Sequence, residues 1–410
     1  MLKKIEFKYG KTIYPFELPE TAEILKIQEP AFSIDIKKFA ADFLAALPKQ
    51  LPDDAGIAIV VADKTRLCGY KTYLPWLLDV LHKKGMENRQ IQFFIAYGTH
   101  ARQSDEDCFH AYGNVYRNYE FIHHDSTDKS CFTYRGKTPA GTRIHLRKDI
   151  LEKDLIITFG ALSHHYFAGY GGGRKLLFPG LGYQPDIYQN HELFLDKNLK
   201  SLALGCQPGS LENNPLAQDL KHIDDGLETQ RVAIHGIMDS KGKVCRLLVN
   251  NTYNEFLSAC KTLDFFYKEG VKKQYELVVA SCGGFPKDIN FIQAHKAINN
   301  AAMLVKNNGS LVVFAECRDG IGSDTFLEYF KYNFTQAFDV LEKDYLGNGG
   351  TALSMMTKTD RIKIFLKTEL DDKICTAMGV KKITIDKIIK FIKEFEQDMA
   401  CSENSSLLIR

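Results

Sequence analysis

Three apolar runs stand out in the first 160 positions: Gly56-Ile57-Ala58-Ile59-Val60-Val61, Ile91-Gln92-Phe93-Phe94-Ile95-Ala96, and Asp154 to Phe159. Each is nearly unbroken rather than alternating, the pattern of strands covered on both faces of a parallel sheet. Between the first two, Tyr73 to Lys84 places leucines at 74, 77, 78 and 81, a helical period, with Pro75 tolerable in the first turn. Asp35 to Leu47 has the same spacing and stops at Pro48. Residues 1–18 alternate about Tyr9-Gly10-Lys11, which predicts a hairpin. Asn214-Pro215 predicts a capped helix to about Asp225, and Asn254 to Lys268 a second one. Val232 to Met238 and Val244 to Val249 read as paired strands around Asp239-Ser240-Lys241-Gly242. The pattern restarts with strands at Tyr275 to Cys282, Gly309 to Ala315 and Arg361 to Leu366. A helix passes through Gln293, Lys296 and Ala301, and an amphipathic helix from Ile385 to Met399, capped by Thr384, closes the chain.

Strands alternating with helices predict an α/β protein, and 410 residues suffice for two such domains with largely parallel sheets. The expected division is residues 1–270 and 271–384, with 385–410 free to pack back onto the first domain. A formal charge of +2 without a basic block argues against nucleic acid as the main partner. The N-terminus lacks a signal-peptide core and no apolar run reaches eighteen residues, so neither export nor a membrane partner is expected. Ten cysteines without a Cys-x-x-Cys pair argue against a zinc ribbon or an iron–sulfur cluster. Cys282 and Cys317 lie in or beside strands, as reduced core thiols of a cytoplasmic protein would.

The three runs end in polar clusters: Asp63-Lys64-Thr65-Arg66, then Gly98-Thr99-His100, then His164-His165. In an open α/β sheet, ligands bind beyond the carboxyl ends of the strands. The third cluster opens a segment from Ser163 to Gly180 that no hydrophobic period fits. It carries two histidines, glycines at 169, 171, 172 and 173, and then Arg174-Lys175. Glycines let the backbone approach an anion, and a lysine of depressed pKa can act as a nucleophile. The segment is neither a P-loop nor a dinucleotide fingerprint, because Leu176 follows the lysine and the glycines follow a His-rich stretch. Spaced histidines suit zinc or nickel. His100, His165 and His191 could form a metal triad, or two could move protons while one binds metal; His123-His124-Asp125 is a rival cluster.

Taken together, Asp63-x-Thr65-Arg66, Gly98-Thr99-His100, the run from His165 to Lys175, Asn190-His191, and Gly283-Gly284-x-Pro286-x-Asp288-Ile289-Asn290 with Gln293 and Lys296 resemble the lactate racemase family. The resemblance implies two α/β domains with the active site in the cleft between them. It also implies a nickel-pincer nucleotide, a pyridinium mononucleotide with two sulfur-bearing arms that grip nickel. Lys175 matches the lysine that holds this cofactor covalently, and His191 the histidine that completes nickel's coordination. His100 and His165 match the two general acid–bases that exchange the hydroxyl proton while the Cα hydride passes to and from the cofactor. Asp63, Thr65, Arg66, Gly172 and Gly173 are implied at the cofactor, with Asp63 on the ribose. Arg66, Gln293 and Lys296 are implied at the substrate, a small 2-hydroxy acid, and cofactor-biosynthesis enzymes are implied partners.

Departures from the family pattern bear on the substrate. Ile292 stands where a tyrosine is usual, Ala101 separates His100 from Arg102, and Gly171 replaces a serine. A 2-hydroxy acid other than lactate is therefore expected, since a lost hydrogen-bond partner changes selection strongly. Two other readings of the same residues are a zinc-dependent hydrolase using His100, His165 and His191, and a non-catalytic nucleotide-binding homologue.

Overall fold

The computed structural model describes residues 2–271, 273–403 and 408–409. The chain divides into two compact units, one of Glu29–Leu193 with Leu204–Leu263, the other of Met1–Gln28, Phe194–Ala203 and Asp264–Arg410.

The first unit is built on a six-stranded sheet. Its strands run, edge to edge, Val244–Asn250, Gln230–Met238, Leu155–Ala161, Ile57–Ala62, Ile91–Ala96 and Glu120–His123. All neighbours are parallel except the first pair, which is the antiparallel hairpin expected around Asp239. Every residue of Ile57–Ala62 is buried, as its unbroken apolar run requires at the sheet's centre. The Tyr70–Lys83 helix buries Leu74, Leu77, Leu78 and Leu81 and carries Pro75 inside it. Tyr70 ties this helix to the sheet: its hydroxyl accepts from Ala62 N and donates to Phe159 O, both at 2.8 Å.

The second unit carries another six-stranded sheet, ordered Lys381–Lys382, Lys363–Lys367, Val305–Phe314, Tyr275–Ser281, Met399–Ser402 and Glu23–Leu25, with all neighbours parallel. The fold is thus mixed α/β with largely parallel sheets.

Three expectations change here. Residues 1–28 group with the C-terminal sequence, not with the rest of the first 270. Glu23–Leu25 pairs with Met399–Ser402, and Ile5, Phe7, Phe16 and Leu18 share a core cluster with Leu277, Val312 and Phe314. The Phe7 and Phe314 rings stack at 4.8 Å. The closing helix belongs to this same core through Ile388 and Ile392, so it does not return to the other unit. It also ends at Glu394, and Met399–Ser402 is a buried strand rather than helix. Four residues are too few for periodicity to separate the two states.

All ten cysteines are free, and all but Cys131 are buried. Among the described residues no helix is long and apolar enough to cross a membrane.

Candidate active site

The parallel pairing of Ile57–Ala62 with Ile91–Ala96 puts Ala62 opposite Ala96, so the chains leave adjacent strands at the same edge. Asp63 follows directly and caps the short helix Lys64–Arg66. Its Oδ1 accepts from Thr65 N at 2.9 Å and from Thr65 Oγ1 at 2.6 Å. His100 comes back over the same edge, its N–H donating to Tyr97 O at 3.0 Å, and its Nδ1 stands 2.7 Å from Asp63 Oδ2. Burial of Asp63 would raise its pKa, but the His100 and Thr65 hydrogen bonds and the Arg66 charge outweigh this and lower it to about 2. Asp63 is therefore ionised at neutral pH and can only accept, which assigns a proton to Nδ1 of His100. In the neutral ring the lone pair is then on Nε2. The His100 side chain is 45% exposed, within reach of a small molecule.

Strand Leu155–Ala161 runs into a small hairpin of Ser163–His165 with Gly169–Gly171, in which His165 faces Gly169. Nδ1 of His165 accepts from the N–H groups of Phe167 and Ala168, each at 3.2 Å. That makes Nδ1 an acceptor and puts the neutral ring's proton on Nε2, the reverse of His100. Gly172 then turns at φ +84°, where a Cβ would lie 2.6 Å from Ala161 O. The turn delivers the helix Arg174–Leu177, whose Lys175 is 7% exposed.

His191 is in the last turn of helix Gln184–Glu192, with Pro185 in its first turn as the sequence predicts. This helix is anchored by fully buried Asp186, whose Oδ2 accepts from His145 N at 2.7 Å and lies 2.8 Å from His145 Nδ1. Burial, then the charges of Lys175 and Arg66, depress the His191 pKa to about 3. The charges of Lys175 and Arg66 therefore both reach His191, whose ring is held neutral at ordinary pH. A neutral imidazole and a buried lysine whose charge reaches it are the donor set a lysine-tethered nickel nucleotide needs, so the residues present fit that group.

In the other unit, Asn290 caps helix Phe291–Ala302 by accepting from Gln293 N at 3.0 Å. One turn on, Lys296 Nζ donates to Gln293 Oε1 at 2.6 Å, and the partly buried Ile292 precedes Gln293. Asp288 of the preceding segment is fully buried and structural: its Oδ2 accepts from Gly10 N at 2.7 Å and Glu316 N at 3.2 Å.

The zinc triad of His100, His165 and His191 is not formed: among the described residues no three His, Cys, Asp or Glu side chains are grouped to hold a metal ion. The rival His123-His124-Asp125 is occupied by structural bonds. His123 Nδ1 is 2.9 Å from the Tyr97 hydroxyl, and buried His124 donates from Nε2 to Gly182 O at 3.1 Å. Sequence reasoning missed the pairing of Asp63 with His100. The signal was present, since both follow apolar runs that neighbour each other in a parallel sheet. It also passed over His235, a buried ring packed against Gly173.

Comparison with known proteins agrees with this architecture. Residues 9–202 match the lactate racemase N-terminal domain, and residues 271–346 the lactate racemase C-terminal domain. A lactate racemase of Thermoanaerobacterium thermosaccharolyticum is 28% identical over 342 residues, covering 80% of this chain and 78% of that protein. One of Lactiplantibacillus plantarum is 28% identical over 276 residues, covering 66% of this chain and 62% of that protein. The solved lactate racemase apoprotein of T. thermosaccharolyticum superposes with a TM-score of 0.86 at 23% identity, over 100% of both chains. A Thermotoga maritima protein superposes with a TM-score of 0.68 at 16% identity, over 92% of this chain and 97% of that one. With the two domain models matched in order and the fold shared along its whole length, the chain belongs to the lactate racemase family and is an enzyme of the isomerase class.

Proposed function

We propose that this protein is a racemase or epimerase that inverts C2 of a small 2-hydroxy acid, working in the cytoplasm with a nickel-pincer nucleotide made by separate biosynthetic enzymes. The observation that carries the reading is the 2.7 Å pairing of His100 with Asp63 at the strand edge, in the unit that also brings the charges of Lys175 and Arg66 to bear on His191. Lys175 would hold the cofactor covalently, His191 would ligate nickel, and Asp63, Thr65, Arg66, Gly172 and Gly173 would lie around the nucleotide. When bound, the cofactor supplies a reversible hydride acceptor, which no amino-acid side chain provides.

The protein's own part is to move a proton at the substrate hydroxyl. Nε2 of His100, with Nδ1–H on Asp63, is set to take the hydroxyl proton. Nε2–H of His165, with Nδ1 engaged by two backbone N–H groups, is set to donate a hydrogen bond to the substrate oxygen, and the ring would release a proton only from its imidazolium form. Each histidine would act as base in its neutral form and as acid in its imidazolium form, so the two would serve opposite directions of the reaction. Lys296 and Gln293 are the groups proposed for the substrate carboxylate and hydroxyl, and Ile292 places an apolar branch beside them, favouring a substrate other than lactate itself.

Intact-mass measurement after co-expression with cofactor-making enzymes tests the attachment: an adduct is expected on the native chain and none on Lys175→Arg. A panel of single-enantiomer 2-hydroxy acids in deuterated water, read by chiral chromatography and mass, tests the reaction. Inversion with little deuterium at C2 is expected. Active protein with unmodified Lys175, or extensive deuterium at C2, would overturn the proposal, and binding without inversion would identify a non-catalytic homologue.

A further inference from the structure

Behind the glycine turn, the first unit holds a cavity of about 120 Å³. Thr158, Ala233 and His235 form its floor on two neighbouring strands, and Arg174, Asn250 and Phe256 are among its walls. Asp225, Asn251 and Thr252 are exposed lining residues, so the cavity opens to solvent at that end.

Its polar groups are unusual for a protein interior. Arg174 is 9% exposed, and its Nε and Nη1 have no hydrogen-bond partner among the described residues. The same holds for Oδ1 of buried Asn250 and for both ring nitrogens of His235, which is fully buried. Buried polar groups are almost always paired, and a guanidinium without a partner is among the costliest exceptions. The nearby carboxylates do not meet the need. Asp224 lies 3.6 Å from Arg231 Nε, and Asp225 pairs with Lys221. With those two pairs formed, Arg174 is the lining cation without an ion-pair partner in contact, and Asp224 and Asp225 act on it only through space. Its guanidinium lies instead over the rings of Tyr253 and Phe256, at 5.7 Å and 5.4 Å from their centroids.

We infer that this cavity is a binding site for a small carboxylate monoanion bearing a hydrogen-bond donor such as a hydroxyl. The carboxylate accepts from one of the two open donors of Arg174, which lie on opposite edges of the guanidinium, the ligand's donor meets Asn250 Oδ1, and the Phe256 ring lies against the carbon skeleton. The volume admits one such molecule of a few heavy atoms or a group of waters. Arg174 and Lys175 are consecutive in one four-residue helix, so the occupant binds the turn that carries Lys175. The inference rests on the cavity and not on the reaction proposed above.

Calorimetric titration of the cofactor-free protein with glycolate, acetate and inorganic phosphate tests it. Saturable glycolate binding is expected, at least tenfold tighter than acetate and undiminished by phosphate. Arg174→Gln should weaken it at least tenfold. Ala233→Leu, which fills the cavity from the sheet and leaves Arg174 in place, should do the same and covers the case in which Arg174→Gln does not fold. His100→Gln should leave it unchanged, separating this site from the candidate active site. The inference is overturned if glycolate does not bind, if acetate binds equally well, or if phosphate displaces glycolate. Binding that survives Ala233→Leu, or is lost in His100→Gln, overturns it as well.

Discussion

Asp63 Oδ2 and His100 Nδ1 lie 2.7 Å apart, joining residues 37 positions apart across the ends of two adjacent parallel strands. The carboxylate is buried and held ionised, the imidazole is half exposed, and the pair fixes which ring nitrogen carries the proton. Asp63 is thus a positioning residue for His100.

Asp63→Asn keeps the shape and removes the acceptor charge. Its amide can offer a donor to Nδ1 and so favour the wrong tautomer. The expected result is a fall in kcat of about a hundredfold or more with KM nearly unchanged, because the loss falls on proton transfer and not on binding. Steady-state racemisation by the cofactor-loaded protein checks this; a change confined to KM would remove Asp63 from this role.

The same carboxylate carries a pH signature. Its pKa falls from 3.8 to about 2 on folding, so the unfolded chain binds the proton first as pH drops. The stabilisation is complete above the unfolded value and disappears as pH falls from about 4 to about 2, an effect of about 2 kcal/mol. The stability gap between native protein and Asp63→Asn, from urea unfolding, should shrink by that amount over this interval.

Gly172 can be tested against a glycine of similar backbone. Gly172 has φ +84° and a Cβ there would meet Ala161 O at 2.6 Å, whereas Gly85 has φ +89° with nothing within 4 Å. Gly85→Ala should cost about 1 kcal/mol, the backbone penalty alone. Gly172→Ala should cost roughly 3 kcal/mol or more, since a carbonyl of the central sheet must also shift. Urea unfolding of both variants decides.

Lys358, buried in the second unit, donates from Nζ to Ser354 O at 2.8 Å and Ser354 Oγ at 2.6 Å. Burial, with the Arg361 charge added, lowers its pKa from 10.5 to about 7. Between these values the unfolded chain holds a proton that the folded chain has released, so stability rises with pH from about 7 upward. The slope contributed is up to about 1.4 kcal/mol per pH unit. Lys358→Met should remove that rise; an unchanged pH profile of thermal unfolding would contradict it.

Lys296 donates to Gln293 at 2.6 Å, which aims its ammonium within one helix turn. If it takes the substrate carboxylate, Lys296→Met should raise KM about tenfold or more with a smaller change in kcat, the loss of one charge-assisted bond. A change in kcat alone would assign Lys296 elsewhere.

What local sequence determined here is what depends on neighbours along the chain. The unbroken run at Ile57–Val61, the leucines of the Tyr70–Lys83 helix, the Asn214 cap and the hairpin at Asp239 all report burial or turn geometry within a few residues. The order of polar clusters at strand ends, and the long run from His165 to Lys175, made the family resemblance legible for the same reason. Tertiary structure decided what distance along the chain conceals. Met399–Ser402 is a strand because a slot between Tyr275–Ser281 and Glu23–Leu25 pairs its backbone. Asp63 meets His100 because parallel pairing brings two strand ends to one edge. Arg174 is buried because helices and sheet close over it, which the order Arg174-Lys175 along the chain does not show. Periodicity records which face is apolar; only packing determines which polar groups lose water, and with it their protons and partners.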